Sequence, residues 1–355
     1  MYEEFMGTKP VAERQKVDLA ALSDYVRKHI GNFDGDLQIE QFKGGQSNPT
    51  FKLTAGHASY VLRTKPAPAA KLLPSAHAID REYRVMDALS KAGFPAARQY
   101  ALCEDESVIG RAFYIMEFMD GRVLWDQSMS EMTQTERAAH YDEMNRVIAQ
   151  LHTIDYQTIG LETYGKPGNY FGRQIDRWTR QYKASETEHI PEMDHLIAWL
   201  PQHIPAGEQT TIVHGDYRLD NMIFHPTQPR ILAVLDWELS TLGHPLADFS
   251  YHCMSWHIVP GLFRGIAGLD LKSLGIPSEA EYIDKYSART GIAINKEDFR
   301  FYLAYNMFRM AGILQGIMKR YQDGTAASEQ ALKNGKAARP MAEMGWDFAS
   351  GKKSI

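Results

Sequence analysis

The chain has 355 residues, 44% apolar and 23% charged, with a formal net charge of −5 and a pI near 6.2. That length suits two domains or one two-lobed unit, and the weak acidity excludes a chain-wide electrostatic footprint for nucleic acid or an anionic membrane. Two cysteines far apart, Cys103 and Cys253, exclude a disulfide framework or zinc knuckle and point to a reducing, cytoplasmic location.

In chain order, "MYEEFMGTKP" is acidic and lacks the apolar stretch of a signal peptide. No apolar run approaches the ~20 residues of a membrane span. Residues 13–30 carry Leu19, Leu22, Val26 and Ile30 at spacings of three and four, which predicts an amphipathic helix. "LQIEQFKGGQSNPTFKLTAGHASYVLRTKP" reads as strand, glycine turn, strand, turn, strand. "PAPAAKLLPS" is a proline-punctuated loop, and "AIDREYRVMDALSKAGF" is a helix with Ile79, Tyr83, Met86 and Leu89 on one face. "FYIMEFMDGRVL" is a strand that ends in a turn at Gly121.

Beyond Gly121 the pattern becomes helical. "TQTERAAHYDEMNRVIAQLHTID" has a helix-start signal at Thr133 or Thr135, and "YFGRQIDRWTRQYKAS", "PEMDHLIAWLPQHI" and "FRFYLAYNMFRMAGILQGIMKRY" are helical too. Between them, "TIVHGD", a loop, "NMIFH", a proline turn and "ILAVLDWE" read as paired short strands. The expected organisation is α+β: a β-rich first lobe over 1–119 and a mainly helical second lobe over 120–355.

The short strands carry the chemistry. Asp216 and Asn221 are five residues apart, and Asp236 ends an apolar strand fifteen residues later. A carboxylate such as Asp216 can serve a hydroxyl as a base, and Asn221 and Asp236 offer hard oxygen ligands suited to Mg²⁺. That set suits phosphoryl transfer, in which the metal neutralises the phosphates. The plainer reading makes them turn-forming residues around hairpins. A third reading gathers His214, Asp216, Asp236, His244 and Asp248 as a metallohydrolase cluster, but the spacing of a second metal site is missing.

"HGDYRLDN" resembles the H-G-D-x-x-x-x-N loop of the aminoglycoside phosphotransferase and choline kinase group, and "LDWE" resembles its metal-binding Asp segment. "YVLRTKPAPAAKLLPSAHAIDREYRVM" and "VLDWELSTLGHPLADFS" are similar to the kinase-like domain associated with long acyl-CoA dehydrogenase fusion proteins. The resemblance implies a protein-kinase-like two-lobed fold with an antiparallel-sheet first lobe. It also implies ATP and Mg²⁺ as cofactors and a small-molecule hydroxyl as acceptor, such as that of a hydroxyacyl-CoA. By the same resemblance Asp216 is the catalytic carboxylate and Asn221 and Asp236 hold the metal. Arg63 in "YVLR" and Glu82 in "REY" form the phosphate-side pair, with arginine where protein kinases carry lysine. Gly44, Gly45, Gln46, Ser47 and Asn48 form the turn over the nucleotide, and Glu117, Phe118 and Met119 meet the adenine. "FKGGQSN" is not G-x-G-x-x-G, and no Walker A lysine pattern occurs.

A protein kinase is disfavoured. Gly215 stands where H-R-D has arginine, and eleven residues between Asp236 and Asp248 leave no room for an activation segment. His214, His152 and Asp248 read as structural, and Tyr302, Tyr305 and Arg309 as core residues that could reach the acceptor. Arg173, Arg177 and Arg180 share a helix face; from Arg300 onward nine basic residues face four acidic ones. Both features suit an anionic acceptor better than a polycationic aminoglycoside. A nucleotide-binding module without turnover is the reading from another class.

Overall fold

Alternating burial builds the first sheet. The computed structural model describes residues 7–30, 35–43, 48–66, 78–325 and 329–355. Strand β3 (Thr50–Ala55) buries Phe51, Leu53 and Ala55 and leaves the residues between them partly exposed, the period-two pattern of a half-buried strand. It lies between β2 (Gln38–Phe42) and β4 (Ala58–Thr64) in a six-stranded antiparallel sheet. The sheet is completed by β1 (Thr8–Lys9), β5 (Gln99–Cys103) and β6 (Phe113–Glu117), in the order β1-β2-β3-β4-β6-β5. Arg63 of β4 stands opposite Thr50 and Tyr114, so its register is set from both sides. Helix α1 (Leu19–Ile30) buries Leu22 and Val26 in one cluster with Phe51, Leu53, Leu62, Phe113 and Ile115. It starts later than the sequence suggests. The Asp18 carboxylate accepts the N–H groups of Ala20 and Ala21 at 3.0 Å, so the first turn forms there, while 13–15 make a separate 3₁₀ turn. Helix α2 (Ile79–Lys91) buries Val85, Met86, Leu89 and, against habit, Glu82.

A three-stranded sheet belongs to the same compact unit. Its middle strand is Met222–Phe224, flanked by Ile231–Val234 and Arg122–Val123. Gly121 is required at its edge, because a Cβ there would stand 2.4 Å from the Phe224 carbonyl oxygen.

The second unit is built from helices α3 (Gln134–Thr153), α4 (Tyr170–Ala184), α5 (Pro191–Trp199), α6 (Pro245–Cys253), α7 (Leu271–Leu274), α8 (Glu279–Thr290), α9 (Lys296–Gln322), α10 (Glu329–Lys336) and α11 (Ala338–Ala349). The start signal at Thr133 is a complete capping box with Glu136. Helix α9 is buried along most of its length, and α4, α6, α10 and α11 pack against it. Thr211–Val213 does not pair with Met222–Phe224, as adjacency in the sequence suggests. Its partner is Thr241–Gly243. The reason is a contact distant in sequence: the Asp248 carboxylate takes the N–H groups of His214 and Gly215, and Gly215 turns the chain at φ +82°.

The two units do not divide the chain at one point. The first takes 1–125, 157–164 and 220–240, and the second takes 126–156, 165–219 and 241–355. Among the described residues no helix is long and apolar enough to cross a membrane.

Candidate active site

In the first unit the chemistry centres on Arg63. Its Nε lies 2.8 Å from Glu82 Oε2, and its guanidinium reaches Asp236 Oδ1 at 3.4 Å and Glu238 Oε2 at 4.0 Å. Glu82 is 2% exposed, and its carboxylate also accepts Tyr114 Oη at 3.0 Å and Asn48 Nδ2 at 2.8 Å. Burial works against the Arg63 charge, but Tyr114, Glu82, Asp236 and Glu238 outweigh it and hold the guanidinium protonated. Arg63 thus lies within ion-pair distance of three carboxylates, those of Glu82, Asp236 and Glu238.

Asn221 and Asp236 are neighbours through the backbone, since the Leu235 N–H donates to the Asn221 carbonyl at 2.8 Å. Asp236 adopts φ +66°, a left-handed conformation rare for a non-glycine residue. That bend turns the strand into the 3₁₀ turn Trp237–Leu239 and leaves the Asp236 side chain 36% exposed. The two residues provide hard oxygens of the kind Mg²⁺ takes while keeping other positions for water or phosphate. Among the described residues no group of three or more His, Cys, Asp or Glu could hold a metal, so a metallohydrolase cluster does not form.

Phe118 stacks on Phe42 at 6.5 Å between centroids, and Lys52 Nζ lies 4.6 Å from its ring centre. Glu117 ends β6, with its N–H on the Arg98 carbonyl. Met119 follows outside any strand. Gly44, Gly45, Gln46 and Ser47 lie outside the described residues. Asn48, expected with them, is fully buried and anchors Glu82.

In the second unit the loop after Thr211–Val213 presents Asp216. Tyr251 Oη donates to its Oδ1 at 2.5 Å, and Arg218 Nε lies 3.3 Å from its Oδ2. The Asp216 N–H donates to His214 Nδ1 at 3.1 Å, so His214 is part of the loop's scaffold. Asp248 braces the loop from beneath, and His152 Nε2 lies 3.3 Å from its Oδ2. Burial raises the Asp248 carboxyl, yet the hydrogen bond and electrostatic influence of His152, with the N–H of His214, hold it below its usual range. Arg309 of α9 donates to the Gly215 carbonyl at 2.6 Å. A narrow recess lies beside Asp216, lined by Arg218, Tyr251, Met254, Ile258, Phe263 and Arg264 among others.

The three arginines of α4 do not act together. Arg173 donates to the Lys166 and Gly168 carbonyls, and Arg180 pairs with Asp176 at 2.8 Å. Arg177 is exposed, its guanidinium 5.5 Å from the Trp178 ring centre. Tyr302 and Tyr305 are core: Tyr302 stacks on Phe171, and Tyr305 meets it edge-on. Tyr114, Glu238, Arg218 and Tyr251 were not foreseen from the sequence. For Arg218 and Glu238 a signal existed, since each lies two residues from a motif aspartate.

Residues 38–281 match the model of the phosphotransferase enzyme family. The mouse acyl-CoA dehydrogenase family member 10 is 44% identical over 347 residues, covering 97% of this chain and 32% of that protein. The human acyl-CoA dehydrogenase family member 11 is 40% identical over 343 residues, covering 94% and 43%. The chain thus spans less than half the length of these relatives. The crystal structure of a "putative aminoglycoside phosphotransferase" from Ralstonia eutropha is 65% identical, with a TM-score of 0.88 over 96% of this chain and 100% of that one. Choline kinase from Cryptosporidium parvum, 15% identical, superposes with a TM-score of 0.60 over 90% of this chain and 96% of its own, a likeness of fold. The fold is α+β and protein-kinase-like: an antiparallel sheet first, then a mainly helical part.

Proposed function

Since the chain belongs to the phosphotransferase enzyme family, we propose that it transfers the γ-phosphoryl group of ATP to the hydroxyl of a small anionic molecule, with a hydroxyacyl thioester as the acceptor class. The observation that carries this reading is the state of the two motif aspartates. Asp216 has both oxygens engaged in one orientation, and Asp236 is bent out beside Asn221, where it shares Arg63 with Glu82 and Glu238.

In this reading Asp216 accepts a hydrogen bond from the acceptor hydroxyl, aims it, and takes its proton late. Asn221 and Asp236 hold Mg²⁺, which neutralises phosphate charge when bound. Arg63, kept charged and fixed by Glu82, contacts phosphate oxygens. Glu117, Phe118 and Met119 meet the adenine. A carboxylate held by the Tyr251 hydrogen bond and the Arg218 ion pair suits positioning, which is most of what phosphoryl transfer asks of a protein.

Two observations support an anionic acceptor. Arg218 and Arg264 line the recess beside Asp216, and the fusion-protein relatives are acyl-CoA dehydrogenase family members. A phosphorylated hydroxyl is a good leaving group, so the product of such a kinase suits a later elimination. The name carried by the Ralstonia relative favours an aminoglycoside acceptor instead. One experiment weighs both: steady-state ATP turnover with a panel of hydroxyacyl thioesters, aminoglycosides and choline-like alcohols, with products identified by mass spectrometry. The expected result is phosphorylation of a hydroxyacyl thioester, and a fall of roughly 10²-fold or more in kcat for Asp216→Asn with ATP affinity kept. Turnover of aminoglycosides alone would overturn the acceptor class. ATP binding without turnover of any acceptor would favour a nucleotide-binding module.

A further inference from the structure

Two side chains outside the H-G-D-x-x-x-x-N segment converge on Asp216, and both come from helices of the same unit. Tyr251 stands in α6, 35 residues on, with its ring buried and its hydroxyl 2.5 Å from Asp216 Oδ1. Arg309 stands in α9, 94 residues from Gly215, and donates to the Gly215 carbonyl at 2.6 Å. The same guanidinium lies 5.2 Å from the Tyr251 ring centre and 5.5 Å from that of Trp178.

A buried guanidinium is costly unless its charge and donors are answered. Among the described residues Arg309 forms no ion pair; ring faces and a backbone carbonyl answer it instead. Such an arrangement contributes little as a surface charge. It does fix two things at once: the carbonyl of the residue before Asp216, and the ring whose hydroxyl grips Asp216. We propose that Tyr251 and Arg309 are positioning residues for Asp216. Tyr251 holds the carboxylate oxygen directly, and Arg309 holds the Gly215 peptide and the Tyr251 ring. Arg218 takes the second oxygen from within the loop. A carboxylate with both oxygens tethered keeps one rotamer, and a small misplacement of such a group is enough to lose much of the rate.

The inference rests on Asp216 being the carboxylate that aims the acceptor, so the test has one arm that needs turnover and one that does not. Tyr251→Phe removes only the hydroxyl. Its kcat is expected to fall roughly 10-fold, with KM for ATP within about twofold, and adding it to Asp216→Asn is expected to cause no further loss, because residues that act as a unit are not additive. In the second arm, amide hydrogen exchange over 214–219 is expected to quicken several-fold in Arg309→Met and to return toward the parent rate in Arg309→Lys. The amides of α11 are expected to be unchanged.

Full kcat in Tyr251→Phe, or a loss that adds in full to that of Asp216→Asn, would overturn the role of Tyr251. Unchanged exchange in Arg309→Met would overturn that of Arg309. If the parent protein phosphorylates no acceptor, the proposed function fails by itself, and the exchange arm, with Tyr251→Phe measured beside Arg309→Met, still decides whether the loop is held by these two side chains.

Discussion

Acidification between pH 7.5 and 5 is expected to destabilise the second unit through two buried histidines of one segment. His244 caps α6: its Nδ1 accepts the Leu246 N–H at 3.2 Å, and its ring lies against Phe171 and Tyr302. A proton on Nδ1 would place N–H against N–H and add positive charge at the positive end of a helix. Burial, with His152 nearby, accordingly pushes its pKa down to about 4. His252, eight residues along, is buried against Tyr217, Tyr282 and Trp256, and burial likewise takes it down to about 4. In the unfolded chain both titrate near 6.5. Between these values the unfolded state binds more protons than the folded one, so stability rises with pH and is lost as pH falls from about 6.5 toward 4. At pH 5 each histidine costs about 2 kcal/mol relative to pH 7.5, and the two together about 4 kcal/mol. Carboxylates held low in the folded state, such as Asp248, lose their contribution only below this window, through their ordinary value of 3.8 and lower. The assay is urea unfolding followed by circular dichroism at pH 7.5 and 5.0, for the parent and for His244→Asn. Asparagine caps a helix without titrating here, so the variant is expected to lose about half as much stability over the same interval, whatever its starting value. Equal stability of the parent at the two pH values, or an undiminished acid loss in the variant, would refute the linkage.

Three further outcomes are expected. Glu82→Ala leaves Arg63, Tyr114 and Asn48 without their shared acceptor and is expected to cost about 3 kcal/mol or more in chemical denaturation; a loss under about 1 kcal/mol would show that the pair is solvated. Asp236→Ala is expected to abolish the Mg²⁺-dependent part of ATP binding in calorimetry, and unchanged affinity would remove Asp236 from the metal site. Arg177→Glu is expected to raise KM for an anionic acceptor by severalfold and leave KM for ATP alone, with added salt weakening acceptor binding in parallel. No kinetic change would make Arg177 an ordinary surface charge.

What could be read in the sequence was what the chain keeps local. Asp216, Asn221 and Asp236 stand within one short segment, so strand-end placement and residue type identified them together. The period of two in β3 and the Thr133 capping box were equally legible, because each is decided by neighbours in the chain; β4 buries Val61 and Leu62 in succession and does not keep the alternation. Tyr251 and Arg309 were hidden for the opposite reason: each reaches the loop from a helix whose own pattern says only that it is buried. The strand Thr241–Gly243 is too short to show alternation, and its pairing with Thr211–Val213 is set by tertiary packing. The α4 arginines show where periodicity misleads. A common face did not make a common site, because Arg180 meets Asp176 one turn back and Arg173 turns to loop carbonyls.

The interleaving of the two units also bears on how this chain is made. A ribosome delivers residues 1–125 early, but Met222–Phe224, with which Arg122–Val123 pairs, and Ile231–Val234, which completes that sheet, belong to a segment finished only when residue 240 has been synthesised. At about 5–20 residues per second, the gap lasts roughly 6 to 23 seconds. During that time Arg122–Val123 has no strand to pair with and Asp236 has yet to reach Arg63. A fragment cut at Trp125 would remain in that unfinished state, so neither unit can be produced as a single uninterrupted stretch of this gene product.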